Sequence, residues 1–171
     1  MSRNATLKKN LNKNMYIFTI WVDADSCPIQ VRDVIIRASK RLQLPVNFVA
    51  NRTIPLPNSH TLLKMIISDT TPDAADNVIV EQCNQNDFVI TRDIPLANRL
   101  VEKKIRVIND RGIIYDEENI RQRLSIRNFN LELFNMGLIG EKNGSFGKKE
   151  LQQFSNCFDR ELQKKIKELT P

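Results

Sequence analysis

The segment Ile17–Pro28, reading IFTIWVDADSCP, constrains this chain more than any other stretch. An apolar run of strand length ends in two carboxylates, Asp23 and Asp25. Ser26-Cys27-Pro28 then opens a helix, since proline suits the first helical position. In an open α/β sheet, ligands bind in the crevice beyond the carboxyl ends of the strands. Acids at such an end, directly before a helix, therefore point to a site. Residues two apart on an extended segment share a side, so Asp23 and Asp25 aim at one point. Like charges held together resist joint ionisation unless a cation lies between them. The segment reads as half of a metal site, whose other ligands must come from elsewhere in the chain.

At 171 residues the chain suits a single domain with a proper core. The apolar run Met15–Val22 is far too short to cross a membrane. Residues 1–14 are polar and lack the apolar centre of a signal peptide, so a cytoplasmic location is expected. Cys27, Cys83 and Cys157 are far apart with no C-x-x-C pair, which argues against a disulfide framework and a structural zinc site. His60 is the single histidine, which argues strongly against histidine-based zinc or iron chemistry. Cys27 beside the acids invites a nucleophilic reading. With no histidine near it in sequence to activate it, it reads instead as a small buried residue at a helix start.

The formal charge of +6 is unevenly spread: residues 1–14 hold Arg3, Lys8, Lys9 and Lys13 and no acid, which leaves +2 for the rest. That remainder is too mildly basic to argue for nucleic acid on charge alone. The composition of residues 1–14 predicts a disordered basic leader. Residues 15–139 are expected to form an α/β domain. A polar linker and a final helix, 140–171, are expected to pack on that same domain.

Strand and helix patterns alternate along the chain. Ile17–Asp23 reads as a buried strand, and Ile29, Val31, Val34, Ile35, Ala38 and Leu42 recur at helical spacing. Pro45 then introduces a strand at Val46–Ala50, which implies a parallel βαβ unit. A proline-bearing loop, Asn51–Ser59, leads to a strand at Leu62–Ser68 and a helix from Asp73 to Asn84. Asp87–Thr91 and Ile105–Ile108 are the fourth and fifth strands, with a helix from Pro95 between them; Asn109-Asp110-Arg111-Gly112 is a turn. Helices are predicted from Asp116 to Leu124, over Asn128–Met136 until Gly137, and over Lys148–Leu169. The expected architecture is α/β in three layers, on a mainly parallel five-stranded sheet with extra C-terminal helices.

Acids converge in this scheme. Asp93 follows a strand, as Asp23 and Asp25 do, and Asp73 and Asp76 lie on one face at the start of the preceding helix. Four or five carboxylates from three segments would then meet in one pocket. Oxygen-only ligation suits Mg²⁺ or Mn²⁺ rather than zinc. Two such ions roughly 3.5–4 Å apart support phosphodiester hydrolysis. Each acid has a plainer alternative: Asp25, Ser26 or Asp93 as a helix cap, and Asp73 as a dipole partner. Asp69 and Asp87 read as turn residues.

The segments VDADSCP (22–28), FVAN (48–51), DAADNVIVEQC (73–83), DFVITRDIPLA (87–97), RG (111–112), NIRQRLSIRNF (119–129) and FGKKELQQFSNCFDREL (146–162) resemble the YaiI/YqxD family of uncharacterised bacterial proteins. The likeness covers residues 16–163 and is specific, because separate motifs agree in order. It implies a fold similar to PIN-like nuclease domains. In those nucleases an acid at the end of the first strand, one on a mid-chain helix and one after the fourth strand bind metal.

By resemblance the metal-binding and catalytic residues are Asp23, Asp25, Asp76 and Asp93. Thr91 in ITRD, with Asp73 and Asn77, would orient them. Ser26, Asn51, Arg92 and Arg111 would contact substrate, and Lys64 would add to the cationic rim. Where the family pattern has Arg-Asp after the late helix, this chain has Arg127-Asn128, so that position reads as structural.

The implied function is Mg²⁺- or Mn²⁺-dependent hydrolysis of RNA or single-stranded nucleic acid, with no membrane partner. Two other classes compete. The D-x-D pattern also opens haloacid-dehalogenase-type phosphatases, although Cys27 stands where those carry Thr or Val, and Thr91-Arg92-Asp93 lacks the paired acids of their last motif. A non-catalytic RNA-binding module is the other; with Trp21 in a strand and two tyrosines, the chain offers no clear stacking platform.

Overall fold

The computed structural model describes residues 17–142 and 144–170, and the predicted leader 1–14 lies outside the described residues. In chain order these form β1 (Ile20–Asp23), α1 (Ile29–Leu42), β2 (Val46–Ala50), β3 (Leu63–Ile67), α2 (Ala74–Gln82) and β4 (Phe88–Ile90). There follow α3 (Ile94–Glu102), β5 (Arg106–Ile108), β6 (Ile114–Tyr115), α4 (Asn119–Asn135) and α5 (Lys148–Leu169). The strands join in one sheet of order β3-β2-β1-β4-β5-β6, parallel except at β6.

Strand side chains alternate between two apolar layers, as a period of two requires. Ile20 and Val22 of β1, Phe48 of β2, Phe88 and Ile90 of β4 and Ile108 of β5 pack with α1 and α5 on one face. Trp21, Val49, Val89 and Val107 point the other way, onto α2, α3 and Ile120 of α4. The result is the expected three-layer α/β arrangement, buried on both faces as parallel sheets are.

The C-terminal helix is part of this core. Phe154 and Phe158 of α5 stack at 5.2 Å between centroids, and Phe158 meets Phe88 edge-on at 5.7 Å. Phe154, Phe158 and Leu162 are fully buried, each contributing roughly 1.5–3 kcal/mol.

Three local expectations are corrected. The sheet has six strands, not five, because the 109–112 turn folds the chain back onto β5 as antiparallel β6. Asn109 Oδ1 accepts from the amides of Arg111 and Ile113, and Gly112 turns at φ +77°. A Cβ on Gly112 would stand 2.4 Å from the Gln153 carbonyl oxygen, so this turn seats directly on α5. A two-residue strand carries no periodicity that a sequence could display. Second, the two helices predicted over 116–136 are one, α4: no Gly or Pro interrupts it before Gly137, and Asp116 caps it by accepting from Glu118 and Asn119. Third, Pro28 (φ −58°, ψ 146°) stands just before α1 as its cap residue rather than inside its first turn.

Candidate active site

Strand order fixes where the chemistry gathers. From β1 the chain proceeds outward to β2 and β3, then returns to pair β4 on the other side of β1 and proceeds to β5. The carboxyl ends of β1 and β4 therefore flank a topological switch point, where a crevice forms. Asp23 ends β1 and Asp93 follows β4. The start of α2 brings Asp73 and Asp76 to the same edge. A cleft of about 560 Å³ is lined there by Asp23, Asp25, Ser26, Asn51, Asp69, Asp73, Asp76, Arg92, Asp93 and Arg127.

Asp23 is 8% exposed, and its Oδ2 accepts from the Thr91 hydroxyl at 2.8 Å. Thr91 Oγ1 in turn accepts from the Asp93 amide at 3.0 Å, so this threonine ties the ends of β1 and β4 together. Burial pushes the Asp23 carboxyl above its ordinary value; the Thr91 hydrogen bond opposes this, and the Asp93 and Asp25 charges reinforce it. Asp76 is pushed up to about 6 by burial, then by the charges of Asp93, Asp23 and Asp73. These five acids share one electrostatic field.

Several are also committed locally. Asp93 Oδ1 caps α3 by accepting from Leu96 at 2.8 Å, the plainer role foreseen for it. Asp25 Oδ2 accepts from the Asn51 amide at 2.9 Å, which anchors the loop after β1 to the end of β2. Asp73 sits at φ +62° just before α2, with no cap bond from its side chain. Among the described residues, no three His, Cys, Asp or Glu side chains stand close enough to hold a metal ion. The acids share an electrostatic field but not a closed coordination sphere.

Other candidates divide. Arg92 lines the cleft, yet its guanidinium pairs at 2.7 Å with the buried Asp110. Arg111 lies outside the cleft: it stands 5.8 Å over the Phe146 ring and donates to the carbonyls of Gly144 and Ser145, tethering the segment before α5. Asn77 is exposed on α2 and Lys64 on β3, neither lining the cleft. Cys27 is no nucleophile as it stands, since burial, then the Asp110 charge, pushes its thiol up to about 12.

Three further residues take their roles from their surroundings. Asp87 closes the turn from Asn84, whose carbonyl accepts from its amide, and at 4% exposure its carboxylate also accepts from the Thr19 amide, the Trp21 indole Nε1–H and the Asn84 amide. Asp69 belongs to the cleft wall. Arg127, beside Asn128 where the family's acid is lost, lines the cleft from α4. The signal for it was present, because Arg123 and Arg127 are four apart and share one helix face.

The profile of the family described as "Uncharacterized BCR, YaiI/YqxD family" matches residues 21–164. A UPF0178 protein of Treponema denticola is 51% identical over 149 residues, covering 87% of this chain and 94% of that one. One from Psychromonas ingrahamii is 48% identical over 146 residues (85% and 96%), and one from Treponema pallidum 46% over 149 residues (87% and 84%). No solved structure matches the chain. Similarity of that depth over nearly the whole described region makes the chain a member of the YaiI/YqxD family.

Proposed function

We propose that this protein is a metal-dependent, PIN-like nuclease that hydrolyses phosphodiesters of RNA or single-stranded nucleic acid at the acidic cleft. The observation that carries the reading is the gathering of Asp23, Asp25, Asp76 and Asp93 on one cleft at the β1–β4 switch point, where burial first and the neighbouring acids second push the carboxyls of Asp23 and Asp76 up. Folding places like charges together at a cost, and a divalent cation removes that cost. The donors fit Mg²⁺ or Mn²⁺, being carboxylate oxygens without thiolate or imidazole.

Asp23, Asp25, Asp76 and Asp93 would hold the ion by drawing closer together than they stand here, and the ion would supply a more acidic water and neutralise charge on the phosphate. Thr91 holds the Asp23 carboxylate in place and fixes the Asp93 backbone. Arg127 is the cleft cation offered to a phosphate. Arg92 is spent on Asp110 and contributes field more than contact.

The test is incubation of end-labelled single-stranded RNA with the wild type and with Asp23→Asn, in Mn²⁺ or in EDTA. Cleavage by the wild type in Mn²⁺ alone, absent in the variant, is the expected result. Hydrolysis of a phosphate monoester but of no nucleic acid would favour the phosphatase class and overturn the reading.

A further inference from the structure

The acidic cleft does not end at Arg127. A second groove continues from it between α4 and the returning segment 139–142, and both Ile94 and Arg127 line the two. Ile126, Leu131, Phe134 and Ile139 give this groove apolar walls. Phe134 is 44% exposed, and Ile120 is the one fully buried residue of α4, so the apolar side chains beyond it are not spent on the core. A monomer gains nothing from exposing such a face.

The rim has the opposite character. Arg123, Arg127 and Lys142 stand on it against one carboxylate, Glu141. Apolar walls with an aromatic ring, a cationic rim, and continuity with a cleft suited to a phosphodiester describe the needs of one nucleotide: the base wants a flat apolar face and its phosphates want cations.

The geometry points to this groove as a base-binding subsite, in which Phe134 stacks an unstacked base of a single-stranded nucleic acid while Arg127 holds the adjoining phosphate toward the acids. The placement of that phosphate rests on the nuclease reading above; the groove's preference for a base does not.

The test uses the full chain in EDTA, where no turnover interferes, and fluorescence anisotropy with two probes: a labelled oligouridylate and the same backbone with abasic sites. The wild type is expected to bind the base-bearing probe about tenfold more tightly. Phe134→Ala should erase that preference without weakening the abasic probe, Phe134→Tyr should keep it, and Arg127→Ala should weaken both probes. Equal binding of the two probes by the wild type, or a preference that survives Phe134→Ala, overturns the proposal. So does a dimer in sedimentation that Phe134→Ala dissociates with oligonucleotide affinity unchanged, since the groove would then serve a second copy. Failure here leaves metal-dependent cleavage untouched, whereas base preference in a protein that cleaves nothing would sink the nuclease reading alone.

Discussion

Asp23 and Asp87 are both buried aspartates, placed at opposite ends of the paired strands β1 and β4. Asp87 receives three N–H donors, from Thr19, Trp21 and Asn84, at 2.8–2.9 Å. Asp23 receives one hydroxyl, from Thr91, and faces the charges of Asp93 and Asp25. A carboxylate surrounded by donors has its charge satisfied within the fold; one that faces other carboxylates does not. The amino end of this strand pair holds a carboxylate among donors, and the carboxyl end gathers carboxylates.

The largest expected effect breaks the carboxyl end. Asp23→Asn should lower metal-dependent cleavage at least about a thousandfold, or about 4 kcal/mol of barrier, while its melting temperature stays level or rises as repulsion is relieved. Asp87→Ala should do the reverse. It strands two backbone amides and the Trp21 indole, and should cost about 4 kcal/mol in chemical denaturation. If the two substitutions cost the fold equally, the contrast between the edges is false.

Arg92→Ala sharpens the comparison from inside the cleft. It would leave Asp110 buried and unpaired, with Oδ1 already lacking a partner. A loss of about 2 kcal/mol of stability is expected, less than for a wholly buried pair because Arg92 is half exposed. Oligonucleotide affinity should fall less than in Arg127→Ala.

The smallest effect is on pH dependence. Asp76 ionises near 6 in the fold against 3.8 ordinarily, so its contribution favours the native state below 3.8 and is lost as pH rises through about 6. Discounted for solvent screening, the drop is about 1 kcal/mol. Denaturation midpoints across that window should fall in the wild type and flatten in Asp76→Asn.

Much of this was legible in the sequence. Apolar runs marked the parallel strands, and acids ending those runs marked the cleft, because strand ends and sheet edges are local features. What stayed hidden depends on distant partners. Asp87 reads as a turn acid and is one, but its bond to Trp21, 66 residues earlier, leaves no local trace. The sequence puts Arg111 at the substrate and gives Arg127 no such role, since only the turn onto α5 and the exposed face of α4 decide which one meets the cleft. β6 is too short to carry a pattern, and α4 was split although nothing in it breaks a helix.

The central claim is that repelling carboxylates at the switch point form a cation site. Its most direct test is a thermal melt of the wild type and Asp23→Asn across an Mn²⁺ titration from EDTA. At ten times the dissociation constant the wild type should gain about 1.4 kcal/mol, read as a rise in melting temperature that the variant lacks. No shift in either protein, or the same shift in both, would contradict it.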